Sequence, residues 1–174
     1  MTHAASQPLP PAFFAANDHE DIDLEGLELV RLICVAYSGK RDGAWEVALE
    51  RAEARHGASG GAQLFAAVRA LMAAIRGWRG SCFDFMNPWC AECRLHVTAH
   101  ELALLSLISA ARRGDRPVMT AQAMVVSEGC ACEDVVQTAQ RLGRVLKTLA
   151  RETAETVSLP TDGPGRLARL HRHA

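Results

Sequence analysis

Charge of one sign is missing from this chain: 19 Lys and Arg stand against 20 Asp and Glu, a formal net of −1 with the seven histidines neutral. No global field therefore draws it to nucleic acid, an acidic membrane or a cationic substrate, and any such partner needs a local patch. Aromatic residues are scarce, three Trp, one Tyr and five Phe, which disfavours a stacking platform for single-stranded nucleic acid. Long hydrophobic runs are also absent, since the longest apolar stretch, Leu102 to Ala111, is too short to span a bilayer. Met1 to Ala16 holds no Lys or Arg, and its apolar piece Pro11 to Ala16 is too short for a signal core, so the expectation is a cytoplasmic protein. There is no Gly-rich phosphate loop, because Gly57 to Gly61 reads as a linker between helices.

What is present is 174 residues, 49% of them hydrophobic, a composition that excludes a wholly disordered chain. A domain of this length buries roughly 70% of its unfolded surface and needs neither disulfide nor metal to be stable. The six cysteines thus call for a separate explanation. In a reducing compartment they are more often ligands, catalysts or core residues than structural disulfides.

The periodicity predicts an all-α bundle of about six helices. Residues 1–22, with Pro8, Pro10, Pro11 and the acidic run Asn17 to Asp21, form a tail whose acids cap the first helix. Leu24, Leu27, Val30, Leu32, Ile33 and Tyr37 mark that helix, ended by Ser38-Gly39. Further helices fit Ala44 to His56, stopped by Gly57, and Gln63 to Trp78. Residues 79–97 then lose helical period, before Thr98-Ala99-His100-Glu101 opens the next helix with a capping box and Val97 and Leu102 close a staple over it. A short helix over Thr120 to Val126 and a long one from Glu133 to Arg151 complete the 23–155 domain. The remaining residues, 156–174, read as a basic tail or a small β-hairpin around Thr161 to Gly165.

Five cysteines cluster between positions 82 and 132, while Cys34 sits on the apolar stripe of the first helix as a core residue. Cys90-x-x-Cys93 lets two thiolates of one tight loop reach a single metal, and Cys130-x-Cys132 adds a second close pair. Both pairs precede helix starts, where backbone donors favour thiolates. The expectation is a zinc held by Cys90, Cys93, Cys130 and Cys132 that pins the 79–97 loop, with Cys82 or His96 as replacement ligands. An iron–sulfur cluster on the same thiolates is the alternative. A metal-free reading packs the cysteines with Phe83, Phe85, Met86 and Trp89 as an apolar plug.

Catalytic motifs are poorly matched. His96 and His100 stand four apart, but no glutamate lies between them as in zinc hydrolases. Cys93, His96 and Glu101 are the residue types of a cysteine hydrolase, yet no preceding strand presents the nucleophile. A thioredoxin-like setting for Cys90-x-x-Cys93 needs a βαβ unit this chain lacks. The expectation is a protein that is not an enzyme.

From Thr98 to Leu149 the element order resembles the helix-turn-helix of winged-helix regulators such as the MarR group, over about a third of the chain. The resemblance implies Thr120 to Val126 as the supporting helix, Gly129 as the turn, Glu133 onward as the recognition helix and Thr156 to Leu170 as a wing. Glu133 and Asp134 depart from it, placing carboxylates where phosphates would lie. The basic residues Arg141, Arg144, Lys147 and Arg151 share one helix face, a solvated surface or a phosphate contact. The functional expectation is a regulator or adaptor with a structural or sensing cysteine site, acting through DNA or a protein partner and open to self-association. Alternatives are an iron–sulfur protein for electron transfer or cofactor assembly, and a metal-free helical interaction module.

Overall fold

The computed structural model describes residues 19–39, 41–130 and 133–158. They form five α-helices: α1 Asp21–Ser38, α2 Ala44–Trp78, α3 Ala99–Arg113, α4 Arg116–Val126 and α5 Glu133–Ser158, with a short 3-10 turn at Cys93–Leu95. Among the described residues the fold is all-α, with no strand.

Local chemistry moves several boundaries. α1 begins at Asp21, ahead of the expected Leu24, because Glu20 and Asp23 build a reciprocal capping box and Gly39, at φ 63°, closes the other end. The expected second and third helices are two arms of α2, 44–56 and 58–78. Gly57 alone (φ 70°, ψ 168°) is non-helical, so one residue makes the corner for which five were expected. This is why five helices stand where about six were expected. By length and composition α2 is apolar enough to cross a membrane. Its second arm nevertheless buries Leu64, Val68, Leu71, Met72 and Ile75 in the core and leaves Arg69 and Arg76 exposed.

The Thr98–Glu101 capping box of α3 forms as expected. The staple does not close as drawn: Val97 clusters with Leu27 and Leu105, while Leu102 stays half-exposed. α4 starts at Arg116, not Thr120, since Asp115 caps it and Pro117 is tolerated in a first turn. α5 runs past Arg151 to Ser158, so Thr156–Ser158 are helical, against the tail or hairpin expected from residue 156. The rest of that expected hairpin lies outside the described residues.

The core is built on α3, whose Leu104, Leu105, Leu107 and Ile108 are fully buried. α1 packs on α2 and α3, α2 on α5, and α3 on α4 and α5. The crossing of α3 and α5 is close enough that a Cβ at Gly143 would stand 2.3 Å from the Ala111 carbonyl oxygen. At the start of α1, buried Asp23 accepts from Ser109 Oγ (2.7 Å) and Arg112 Nε (2.8 Å), tying α1 to the end of α3. Burial works to raise the pKa of Asp23, but the bonds from Arg112 and Ser109 outweigh it and hold the carboxylate below its ordinary value.

Candidate functional site

The segment between α2 and α3, residues 79–98, holds a 3-10 turn and an isolated bridge residue, Val97, but no α-helix or strand. A segment of this kind must satisfy its backbone donors and acceptors elsewhere, and the observed partners include charged side chains of α1, α3 and the turn after α4.

The central anchor is Arg31 of α1 with Glu101 of α3. Arg31 Nε lies 2.6 Å from Glu101 Oε1 and Nη2 lies 3.1 Å from Oε2. The Glu101 side chain is closed to solvent and that of Arg31 is 8% exposed. Glu101 also accepts from the backbone N–H of Met86 (3.0 Å) and of Thr98 (2.9 Å). The remaining Arg31 donors reach the carbonyls of Arg94 (2.9 Å) and His96 (2.5 Å). The pair thus holds the segment at four points, and both carboxylate oxygens are satisfied, as a buried charge requires.

The entry to the segment is held separately. Arg79, the C-cap of α2, donates through Nη1 to the Val126 carbonyl (2.8 Å) and through Nη2 to Ser81 Oγ (2.9 Å). Glu128, at φ 58° just after α4, accepts from the N–H groups of Gly80 (2.9 Å) and Ser81 (3.2 Å) and from the Ser81 hydroxyl. The Ser81 hydroxyl and the Gly80 N–H, with Arg79 beside them, hold the Glu128 carboxyl below its ordinary pKa. His100 accepts the Asp84 N–H at Nδ1 (2.9 Å), and Thr98 Oγ1 donates to the Asp84 carbonyl (2.8 Å).

Within this frame Cys90 and Cys93 lie on a tight turn. Their sulfurs are at bonding distance, forming a disulfide, with Cα atoms 5.2 Å apart. The turn is closed by Cys90 N–H to the Asn87 carbonyl (3.2 Å) and Arg94 N–H to the Cys90 carbonyl (3.1 Å). Both cysteines are half-buried. The Arg41 guanidinium lies 4.3 Å from the centre of the neighbouring Trp89 ring.

The other expected ligands are distributed differently. Cys82 is exposed near the segment's start, and Cys130 is half-buried in the turn between α4 and α5, the turn that Glu128 ties to Gly80 and Ser81. Cys132 lies outside the described residues. His96 places Nδ1 3.1 Å from the Glu92 carbonyl. Among the described residues no three His, Cys, Asp or Glu side chains are grouped as a metal would require. Cys34 is buried as expected, and burial, with Glu101 adding to it, pushes its thiol up to about 12. Arg141, Arg144, Lys147 and Arg151 are exposed on one face of α5, Arg151 pairing with Glu155 at 3.6 Å. At the start of α5, Asp134 accepts the Trp78 indole N–H (2.8 Å).

Two anchoring residues carry little signal along the chain. Spacing marks Glu101 only as a cap, although its place on the most apolar helix foreshadows burial, and nothing marks Arg31 except that Val30 and Leu32 flank it in a buried stripe. A cation and an anion on two buried faces form a recognisable pair only once both faces are known. Compared with known proteins, the chain matches no family model, no curated protein and no solved structure.

Proposed function

We propose that this chain is a non-enzymatic regulatory or adaptor protein whose Cys90–Cys93 pair senses redox state by passing between dithiol and disulfide. The observation that carries this reading is that the two sulfurs lie at bonding distance on a segment positioned by Arg31 and Glu101. The bond therefore need not hold the segment down and is available to be made and broken. Oxidation by a low-molecular-weight disulfide forms the Cys90–Cys93 bond and releases the reagent as two thiols; two electrons pass to it and the cysteines' two protons are released to the thiol products. In a reducing compartment such as the cytoplasm the dithiol is the resting form.

The readout lies beside the pair. Pro88, Arg94 and Leu95 line one side of a groove of about 420 Å³, with Leu24, Leu27 and Arg31 of α1 on the other. Leu95 is 53% exposed. A change between Cys90 and Cys93 moves this wall, and with it the surface offered to a partner. The exposed basic face of α5 is the natural contact for an acidic partner, protein or DNA.

The experiment is elemental analysis, intact-mass measurement and thiol counting on protein purified without oxygen or added metal, followed by titration against a thiol–disulfide buffer. Expected is a reversible step that lowers the mass by two hydrogens and disappears in Cys90→Ser. Cys34, with its thiol at about 12, stays unlabelled by maleimide until the protein is unfolded. About one zinc per chain, lost in Cys90→Ser, would replace the redox reading with a metal site completed from Cys130, Cys132, Cys82 or His96. Iron with sulfide would do the same for a cluster. Thiols that stay reduced throughout would leave a metal-free interaction module. Salt-dependent duplex binding identifies DNA as the partner, and its absence a protein.

A further inference from the structure

A second cavity, of about 370 Å³, lies between the end of α1, the last turns of α2 and the beginning of the cysteine segment, within the size range of small-molecule sites. Its apolar lining includes Cys34, Met72, Phe83 and Phe85, and two guanidinium groups, Arg76 and Arg79, line it as well. Cys90 and Cys93 are not among the lining residues, so neither thiol of the switch takes part in this cavity.

The two arginines differ in how far they are matched. Arg76 is exposed, with its guanidinium carbon 3.8 Å from the Tyr37 ring centre, and no carboxylate among the described residues pairs with it. The Arg79 side chain is 4% exposed and has Glu128 at 3.3 Å. Its Nε is the one buried side-chain polar atom among the described residues without a hydrogen-bond partner. Buried donors are rarely left unmatched in folded proteins, and an acceptor supplied from outside the chain is one way such a donor is completed. Glu101 acts on the lining Cys34 together with Arg76, and Asp84, between Phe83 and Phe85, lies 3.6 Å from His100. Glu101 is already neutralised by Arg31 and Glu128 offsets Arg79, so of the two lining guanidinium groups Arg76 is the one without a paired carboxylate among the described residues.

We infer that this cavity binds a small organic anion, one carboxylate on an aromatic or short alkyl body. Arg76 and Arg79 receive the carboxylate, for which a guanidinium fork is the matching donor. Phe83, Phe85 and Met72 receive the body. A second negative charge finds no partner, so a monoanion is the preferred class.

The test is isothermal titration calorimetry of the full chain with phenylbutyrate, and with phenylbutanol as its uncharged counterpart. Expected is saturation by the acid with Kd below about 1 mM, with the alcohol about tenfold weaker or more, as for a charge-assisted bond. Arg76→Gln, at an exposed position, weakens the acid about tenfold and leaves the alcohol unchanged, while Arg116→Gln, at an exposed position of α4 outside the lining, changes neither. Circular dichroism checks that both variants are folded. Failure of the wild-type chain to saturate, equal affinity for acid and alcohol, or unaltered binding of the acid by Arg76→Gln would each overturn the inference.

Discussion

The guanidinium of Arg31 and the carboxylate of Glu101, 70 positions apart in sequence, meet beneath the cysteine segment with almost no access to solvent. Between them they engage Met86, Arg94, His96 and Thr98 through the backbone. From the sequence, the task of pinning this loop falls to a metal. In the structure two helices supply an anchor from their own buried faces.

Removing one member of this pair leaves a buried, unpaired charge. Arg31→Leu should lower the free energy of unfolding by about 3–5 kcal/mol, measured by urea denaturation. The double variant Arg31→Leu with Glu101→Leu should recover part of that loss, since a well-packed apolar pair often replaces an ionic one. Recovery will be incomplete because the Met86 and Thr98 N–H groups lose their acceptor. A single variant within about 0.5 kcal/mol of wild type, as is usual for surface substitutions, would show that the pair does not carry the segment.

The α3–α5 crossing makes a sharper test. A Cβ at Gly143 would lie 2.3 Å from the Ala111 oxygen and 2.4 Å from its carbonyl carbon, both backbone atoms that can yield only if the helices separate. Gly143→Ala should therefore destabilise by about 1–3 kcal/mol despite alanine's better helix propensity. Gly77→Ala, with nothing within 4 Å of the new Cβ, should be neutral or stabilising by up to about 1 kcal/mol. Thermal melts of the two variants should move in opposite directions or differ by several degrees.

His100 gives the stability a defined pH dependence. Burial and then Arg79 lower its pKa below the ordinary 6.5, outweighing the opposing pull of Asp84 and Glu128. The unfolded chain binds a proton that the folded chain resists, so the contribution is complete above about pH 6.5 and is lost as pH falls through the lower folded value. Denaturation from pH 7 downward should show this slope in the wild type and a flatter one in His100→Asn, whose side-chain oxygen can still accept the Asp84 N–H. Identical slopes would remove His100 from the account.

Much of the fold was legible in the sequence, because helix formation and termination are local. The Thr98–Glu101 box, the glycine stop at Gly39, the acidic cap ahead of α1 and the core stripe of α1 all follow from spacing and capping chemistry. The length of the corner in α2 was not legible, since Gly57 through Gly61 offers several places to bend. Packing chose Gly57 and used Gly61 for close approach, where a Cβ would stand 2.3 Å from the Glu53 nitrogen.

At the site, the sequence by itself determined that cysteines cluster and that Cys90 and Cys93 share one turn, because a two-residue gap keeps two side chains within reach of each other whatever the rest of the chain does. Tertiary structure alone decided what surrounds them: that Arg31 meets Glu101, that Glu128 ties the α4–α5 turn to Gly80 and Ser81, and that Arg76 and Arg79 overlook an apolar cavity. These relationships bring together elements far apart along the chain, and their partners are set by which faces the core buries. No spacing rule along a single chain carries that information.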